Sequence, residues 1–193
     1  MSETAYQDHI LNEMKLKSAL NSRKIIFEGE VCSSNVLQAV YLLDKLVALD
    51  KRTGTKEDIT ILIHSFGGSI LEGNYLISKL IELREKLNYN IIGIVGGYGM
   101  SMGFQTLQAC SIRKCYSTSR LLFHQPSSYS YGDLESMERD NEEVNYLWEM
   151  SKSLVKARTL LTDKMMETWK KERRDKYFSN EELIKYNIVD EII

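Results

Sequence analysis

Short apolar runs recur along the chain, with longer helical patterns between them. Ile25–Phe27, Ile59–Ile63, Ile91–Val95 and Leu121–Phe123 predict strands. After the first comes "NVLQAVYLLDKLVAL", whose apolar positions fit one buried helix face, with Ser33 and Ser34 as candidate caps. Ile70 to Leu87 predicts a second helix. Strands separated by helices pair in parallel through crossovers, so the pattern predicts an α/β fold. Beyond Ser127 the pattern changes. Asp133–Leu161 is long, charged and free of proline. Its apolar residues (Leu134, Met137, Val144, Leu147, Met150, Leu154 and Leu161) are spaced like one helix face. That face either meets a partner helix on another subunit or folds back on its own domain, and the pattern leaves both open. Ser179–Asn180–Glu181–Glu182 reads as a capping box opening a short helix, and "NIVDEII" as a closing strand. Pro126 is the sole proline and no flexible linker interrupts the chain, so one domain is expected over 1–193.

Composition narrows the function classes. The chain has 193 residues, 43% apolar and 27% charged, an ordinary globular balance with a sizeable core. A formal net charge of −2 argues against a nucleic-acid-binding face. The basic run Lys170–Lys171–Glu172–Arg173–Arg174 reads as a solvated helix end. The N-terminal stretch has no continuous apolar core, so neither a secretory signal nor a membrane span is expected. Cys32, Cys110 and Cys115, odd in number and widely spaced, read as reduced thiols in an intracellular, cytoplasmic setting. His9, His64 and His124 lack paired-ligand spacing, so no metal and no cofactor is expected.

Two glycine-rich stretches carry candidate chemistry. "GGYGMSMGF" (96–104) follows the strand at Ile91 and sets Ser101 between two methionines. Gly99–Met100–Ser101–Met102–Gly103 matches G-x-S-x-G, in which a sharp strand-to-helix turn presents a serine nucleophile. The same glycines also suit a plain corner. The α/β-hydrolase fold is disfavoured, because the histidine after Ser101 is His124, only 23 residues on. That spacing fits the loop after the next parallel strand. "IHSFGGSIL" places Gly67–Gly68 between a strand and a helix, where backbone N–H groups can approach a ligand.

Together, "HSFGGS", "GGYGMSMGF", "SRLLFHQP" and "RRDKYFSNEELIKYNIVDEI" resemble, in order and spacing, the ClpP family of self-compartmentalising serine peptidases. The resemblance runs from about Arg23 to the C-terminus. It implies a ClpP/crotonase-like repeated ββα superhelix, a protruding handle helix over about 133–161 and a divergent segment over 1–22. It implies Ser101 as nucleophile, His124 as general base and Asp175 as orienting acid. The N–H groups of Gly68 and Met102 correspond to the oxyanion hole, with the Met102 side chain in or beside the substrate pocket. Ser69, Ile70 and Leu71, with Gln125, Pro126 and Ser127, correspond to two strands that pair with an extended substrate. The implied function is a serine endopeptidase acting on unfolded polypeptides inside two stacked heptameric rings, with a Clp-type AAA+ ATPase as partner. The setting expected is cytoplasmic, with a plastid stroma or phage-infected host cytoplasm as alternatives. The alternatives are a non-catalytic ring subunit of the same fold and a crotonase-type acyl-CoA enzyme, which would not need all three triad residues.

The chain departs from the family pattern in places. Phe66 stands where proline is usual, His64 where asparagine is, and Gly99–Met100 where two small residues precede the nucleophile. Ser127–Ser128–Tyr129 replaces glycines after "HQP" and is closer to plastid and cyanobacterial-type members. Arg173 takes the place of an acidic residue, which puts the usual ring-to-ring salt bridge in doubt. Thr60 and Leu62 replace tyrosines of the ATPase docking pocket.

Overall fold

The computed structural model of the chain describes residues 3–127 and 132–193. The runs at Ile25, Ile59 and Ile91 form the first halves of three long parallel strands, β1 (Lys24–Val31), β2 (Ile59–Gly68) and β3 (Ile91–Met100). Their inward residues alternate with half-open ones. Ile59, Ile61 and Ile63 are fully buried, while Thr60, Leu62 and His64 share the opposite, partly open face. The helices α2 (Ser33–Thr53) and α3 (Ile70–Ile81) form the crossovers, the latter extended by a π-helical turn over Glu82–Lys86. Leu43, Leu46, Leu76 and Leu80 from these helices join the strands in one contiguous core. This is the expected α/β architecture, with a sheet dominated by parallel pairs.

The sheet forks at β3. Ile92–Val95 pair with β4 (Ile112–Cys115), whereas Tyr98–Met100 pair with β5 (Arg120–Phe123). The neighbouring strands are irregular at the same level. β1 shifts register between Glu28 and Glu30, and β2 shifts between Ile63 and Ser65. His64 bridges the bend, its Nδ1 lying 2.5 Å from the Gly96 carbonyl and its ring centroid 4.0 Å from that of Tyr98 at a 41° tilt. The bend turns the end of β3 away from β4 and onto β5. The helix α4 (Met102–Ala109) then runs back through the core with every residue buried.

Four elements differ from the sequence reading. The first 22 residues include a helix, α1 (Glu3–Ser22), which rests on the core through Leu16, Ala19 and Leu20. Ser33 and Ser34 are the first residues of α2, and Cys32 holds the cap position without a side-chain capping bond to the helix backbone. β4 went unpredicted because Arg113 occupies one of its inward positions. The Arg113 guanidinium is 2% exposed and bonds to Asp190, Gln108, Asn187 and the Arg158 carbonyl. The long helix α5 spans Leu134–Lys156, opened by Asp133 accepting from the Ser136 N–H. Its apolar face divides in two. Trp148 and Val155 are buried and Leu154 packs on the core, as does Leu161 beyond the helix end. Leu134 (79%), Tyr146 (62%), Met137 and Met150 remain exposed. Folding back and standing free therefore each describe one part of this segment.

The chain closes with α6 (Asp163–Lys171), the two-residue β6 (Lys176–Tyr177), α7 (Asn180–Lys185) and β7 (Glu191–Ile192), which pairs with β4. The capping box at Ser179 and Glu182 forms as expected. β7 brings Asp190 to Arg113. Partial burial alone would raise the Asp190 pKa, but the Arg113 side-chain and backbone bonds overcome it and hold the carboxyl below its usual range. A depressed folded pKa gives stability that is present at neutral pH and lost as pH falls from the unfolded value, about 3.9, toward the folded one. Asp190→Asn should therefore flatten the fall of the urea midpoint between about pH 5 and pH 3. Equal acid sensitivity in parent and variant would contradict this.

Candidate active site

Ser101 ends β3 and heads α4 with φ +53° and ψ −118°, a conformation that costs a residue with a β-carbon. A serine at a helix start normally turns its hydroxyl onto its own helix. Here no such side-chain bond forms, while the Ser101 carbonyl accepts from the Gln105 N–H at 3.1 Å. The first-turn N–H groups of α4 thus receive nothing from the Ser101 side chain. The far end of α4 is treated differently. Arg84 donates to the Ala109 carbonyl, and Arg158 donates to those of Cys110 and Ser111. Cations answer the negative end of this buried helix, so its positive end is directed at Ser101.

The double glycine lies against this turn. A β-carbon on Gly67 would come 2.5 Å from Ser101 Cβ and 3.0 Å from its Oγ. One on Gly68 would meet the Val31 carbonyl oxygen at 2.5 Å. Both residues have positive φ, +103° and +148°, so glycine is required for conformation as well as space. Ser65, fully buried, holds the turn. Its hydroxyl donates to the Gly29 carbonyl at 2.7 Å and accepts from the Gly67 N–H at 3.1 Å. Nothing in the sequence singled Ser65 out. Its position two residues before Gly67 was the available signal.

Strand register assembles the rest. The Ser101 N–H donates to the Leu122 carbonyl at 3.0 Å, so Ser101 stands beside the end of β5, which His124 follows. β5 pairs antiparallel with β6, with Phe123 opposite Lys176. The preceding Asp175 therefore falls opposite His124. The imidazole Nδ1 lies 3.8 Å from the Asp175 carboxylate, within ion-pair reach but beyond hydrogen-bond length. His124 is 27% exposed and Asp175 62% exposed. Beneath them packs an aromatic cluster absent from the sequence reading. Phe104, Phe123 and Phe178 contact one another through Phe104 at 5.6 and 5.7 Å, and Trp148 of α5 stacks on Phe123 at 5.4 Å. Each phenylalanine lies one or three residues after or before a candidate residue.

Other expected positions fall out differently. Ser69 caps α3 by accepting from the Glu72 N–H, and Ile70 and Leu71 are already helical, so 69–71 is a helix entry and not a strand. Gln125–Ser127 have no regular secondary structure, and Ser128 and Tyr129 lie outside the described residues. The Met102 side chain is fully buried in the core, where it lies against Gly73. Burial pushes the Cys110 thiol up to about 12 and Cys115 to about 11, which leaves both inert near neutral pH. Among the described residues no cluster of His, Cys, Asp or Glu suits a metal, and no helix is long and apolar enough to cross a membrane.

The family model described as Clp protease matches residues 8–193. The chain belongs to the Clp protease family. It is also 28% identical over 179 residues to a protein named ATP-dependent Clp protease proteolytic subunit 1, from Prochlorococcus marinus subsp. pastoris. That match covers 91% of this chain and 86% of the relative. Among the departures from the family pattern, Phe66 is exposed and lies 6.4 Å from the Tyr98 ring, and Met100 is half-buried.

Ser65→Ala should cost about 1–3 kcal/mol, because it leaves the Gly67 N–H and the Gly29 carbonyl short of a partner. Urea denaturation of parent and variant measures it. A change below about 0.5 kcal/mol would mean that the hydroxyl does not hold the turn.

Proposed function

We propose that the chain is a serine endopeptidase subunit in which Ser101 is the nucleophile, His124 the general base and Asp175 the acid that orients it. The observation that carries this reading is the positive-φ Ser101, its hydroxyl turned off its own helix, beside the strand end that leads to His124. In the reaction His124 takes the hydroxyl proton as Ser101 Oγ attacks a peptide carbonyl, then passes that proton to the departing amine. Asp175 stabilises the imidazolium and fixes the tautomer. The N–H groups of Gly68 and Met102 receive the negative charge that develops on the carbonyl oxygen. Water then repeats the sequence on the acyl-enzyme. The 3.8 Å separation of His124 and Asp175 suits an unliganded state, since catalytic hydrogen bonds often tighten only with substrate bound. The same separation favours a second reading, a ring subunit that is inactive on its own.

Assembly belongs to the same proposal. Leu134, Met137, Tyr146 and Met150 leave apolar surface on the outer part of α5, which supports its role as the handle joining two heptameric rings. Unfolded polypeptides would be the substrates and a Clp-type ATPase the partner, with Thr60 and Leu62 altering the docking face. Three free cysteines suit a reducing compartment such as the cytoplasm.

A fluorophosphonate probe should label one residue, Ser101. Ser101→Ala should abolish labelling and lower peptide cleavage by about three orders of magnitude or more. Cleavage at the parent rate by the alanine variant would overturn the assignment, and an unlabelled, inactive parent would favour the second reading. Met137→Glu with Met150→Glu should lower the native mass by sedimentation velocity while leaving the fold intact by circular dichroism. An unchanged mass would count against the handle.

A further inference from the structure

Gly67 and Gly68 carry no side chains to fix them, and glycine backbone is the most permissive of all. A backbone donor that stabilises a developing anion needs the opposite, an orientation set in advance. Two tethers supply it. The Gly67 N–H donates to the Ser65 hydroxyl at 3.1 Å, and the Ser69 N–H donates to the Val31 carbonyl at 2.8 Å. The Gly68 N–H lies between them in the chain. Both tethers run to β1, since the Ser65 hydroxyl itself donates to the Gly29 carbonyl at 2.7 Å. One tether is backbone to backbone. The other passes through a single side-chain oxygen.

Ser65 also meets the segment that carries Met102. It pairs with Gly99 of β3, two residues before Ser101. The first turn of α4 rests on its backbone. A β-carbon on Gly103 would come 2.8 Å from the Ser65 carbonyl oxygen and 3.2 Å from its Cβ. Ser65 is fully buried, so these contacts do not depend on what covers the outside of the chain. Its hydroxyl is engaged on both sides and closed off from substrate, so any effect on the reaction passes through the glycines.

We propose that Ser65 is a positioning residue that sets the Gly68 N–H, with the first turn of α4 against it, for the anion formed on the substrate carbonyl oxygen. The proposal rests on the active-site reading above and adds a rate effect to the hydroxyl's part in stability. Loosening a donor of that kind weakens the tetrahedral state more than the bound ground state, so it lowers kcat and spares KM.

Parent, Ser65→Ala and Ser65→Cys would be compared as full-length assembled proteins. Native mass is recorded, and active sites are counted by fluorophosphonate titration taken to completion. On one peptide, kcat per titrated site and KM are measured across neutral and mildly alkaline pH. Inhibition constants are measured for a peptidyl boronate, which becomes tetrahedral and anionic on a serine, and for the matching product peptide, which does not. Deleting an oxyanion donor outright costs about two to three orders of magnitude in kcat. Loosening one should cost Ser65→Ala about ten- to a hundredfold per site and weaken the boronate by a similar factor. KM and product affinity should stay within about twofold. The pH profile should keep its shape, because the substitution leaves His124 and Asp175 in place. Ser65→Cys, whose thiol bonds weakly, should fall between parent and Ser65→Ala. A structural role alone would lower the number of titrated sites and leave kcat per site unchanged, and that result would overturn the proposal. Equal weakening of the boronate and the product peptide would overturn it too. Should Ser65→Ala fail to assemble, Ser65→Cys decides, and the parent's kcat per site in that variant would overturn the proposal. A parent that neither labels nor cleaves would remove the active-site reading, and this proposal with it.

Discussion

The site depends on a bend that three parallel strands share. β1, β2 and β3 each lose regular register at one level, near Gly29, His64 and Gly96–Gly97. Above that level β3 leaves β4 for β5, and only this change of partner sets Ser101 beside the residue that precedes His124. A straight β3 would continue along β4 and end far from β5. The bend is secured by polar contacts at its inner edge. His64 spans to the Gly96 carbonyl, and the Ser65 hydroxyl ties Gly29 to Gly67. These bonds replace ladder bonds that the bend removes, as buried backbone groups require.

From that geometry the electrostatics follow. α4 begins at the bend and lies wholly inside the core, so neither end can rely on water. Arg84 and Arg158 satisfy its carbonyl end, and the N–H end is left to the Ser101 turn and to whatever binds there. Gly67 and Gly68 are small for a complementary reason, since a β-carbon at either would press on Ser101 or on β1. The aromatic cluster around Phe104 and Phe123 then fixes the height of the Ser101 turn against α5. The helix proposed to join rings is thus also packed under the site.

Much of this was legible in the sequence. Aliphatic runs announced β1, β2, β3 and β5 because their central residues are buried on a plain alternating pattern. The residues proposed as the triad, Ser101, His124 and Asp175, were picked out through motifs that each follow or flank a strand, and the strand pairing brings them to one end of the sheet. The illegible parts share a cause, which is that tertiary partners override local pattern. β4 was hidden by Arg113, a core residue made tolerable by Asp190, Gln108, Asn187 and the Arg158 carbonyl, all off its strand. Ser65 looked ordinary because one bonding partner, Gly29, lies on another strand and the other, Gly67, at the irregular end of its own. The split face of α5 could not be read either, since Leu154 and Met150 look alike until the core beneath one of them is known. The Met102 side chain fills the space over Gly73, a contact visible only when α3 and α4 are packed.

The central claim is that this turn holds a nucleophile and an anion site together, and one measurement tests it most directly: a high-resolution crystal structure of the protein after reaction with a peptidyl phosphonate. The account predicts a covalent bond to Ser101 Oγ, with the phosphonyl oxygen about 2.7–3.1 Å from the N–H groups of Gly68 and Met102. It also predicts His124 drawn within hydrogen-bond reach of Asp175. A bond at another residue, or a phosphonyl oxygen directed away from both N–H groups, would contradict it.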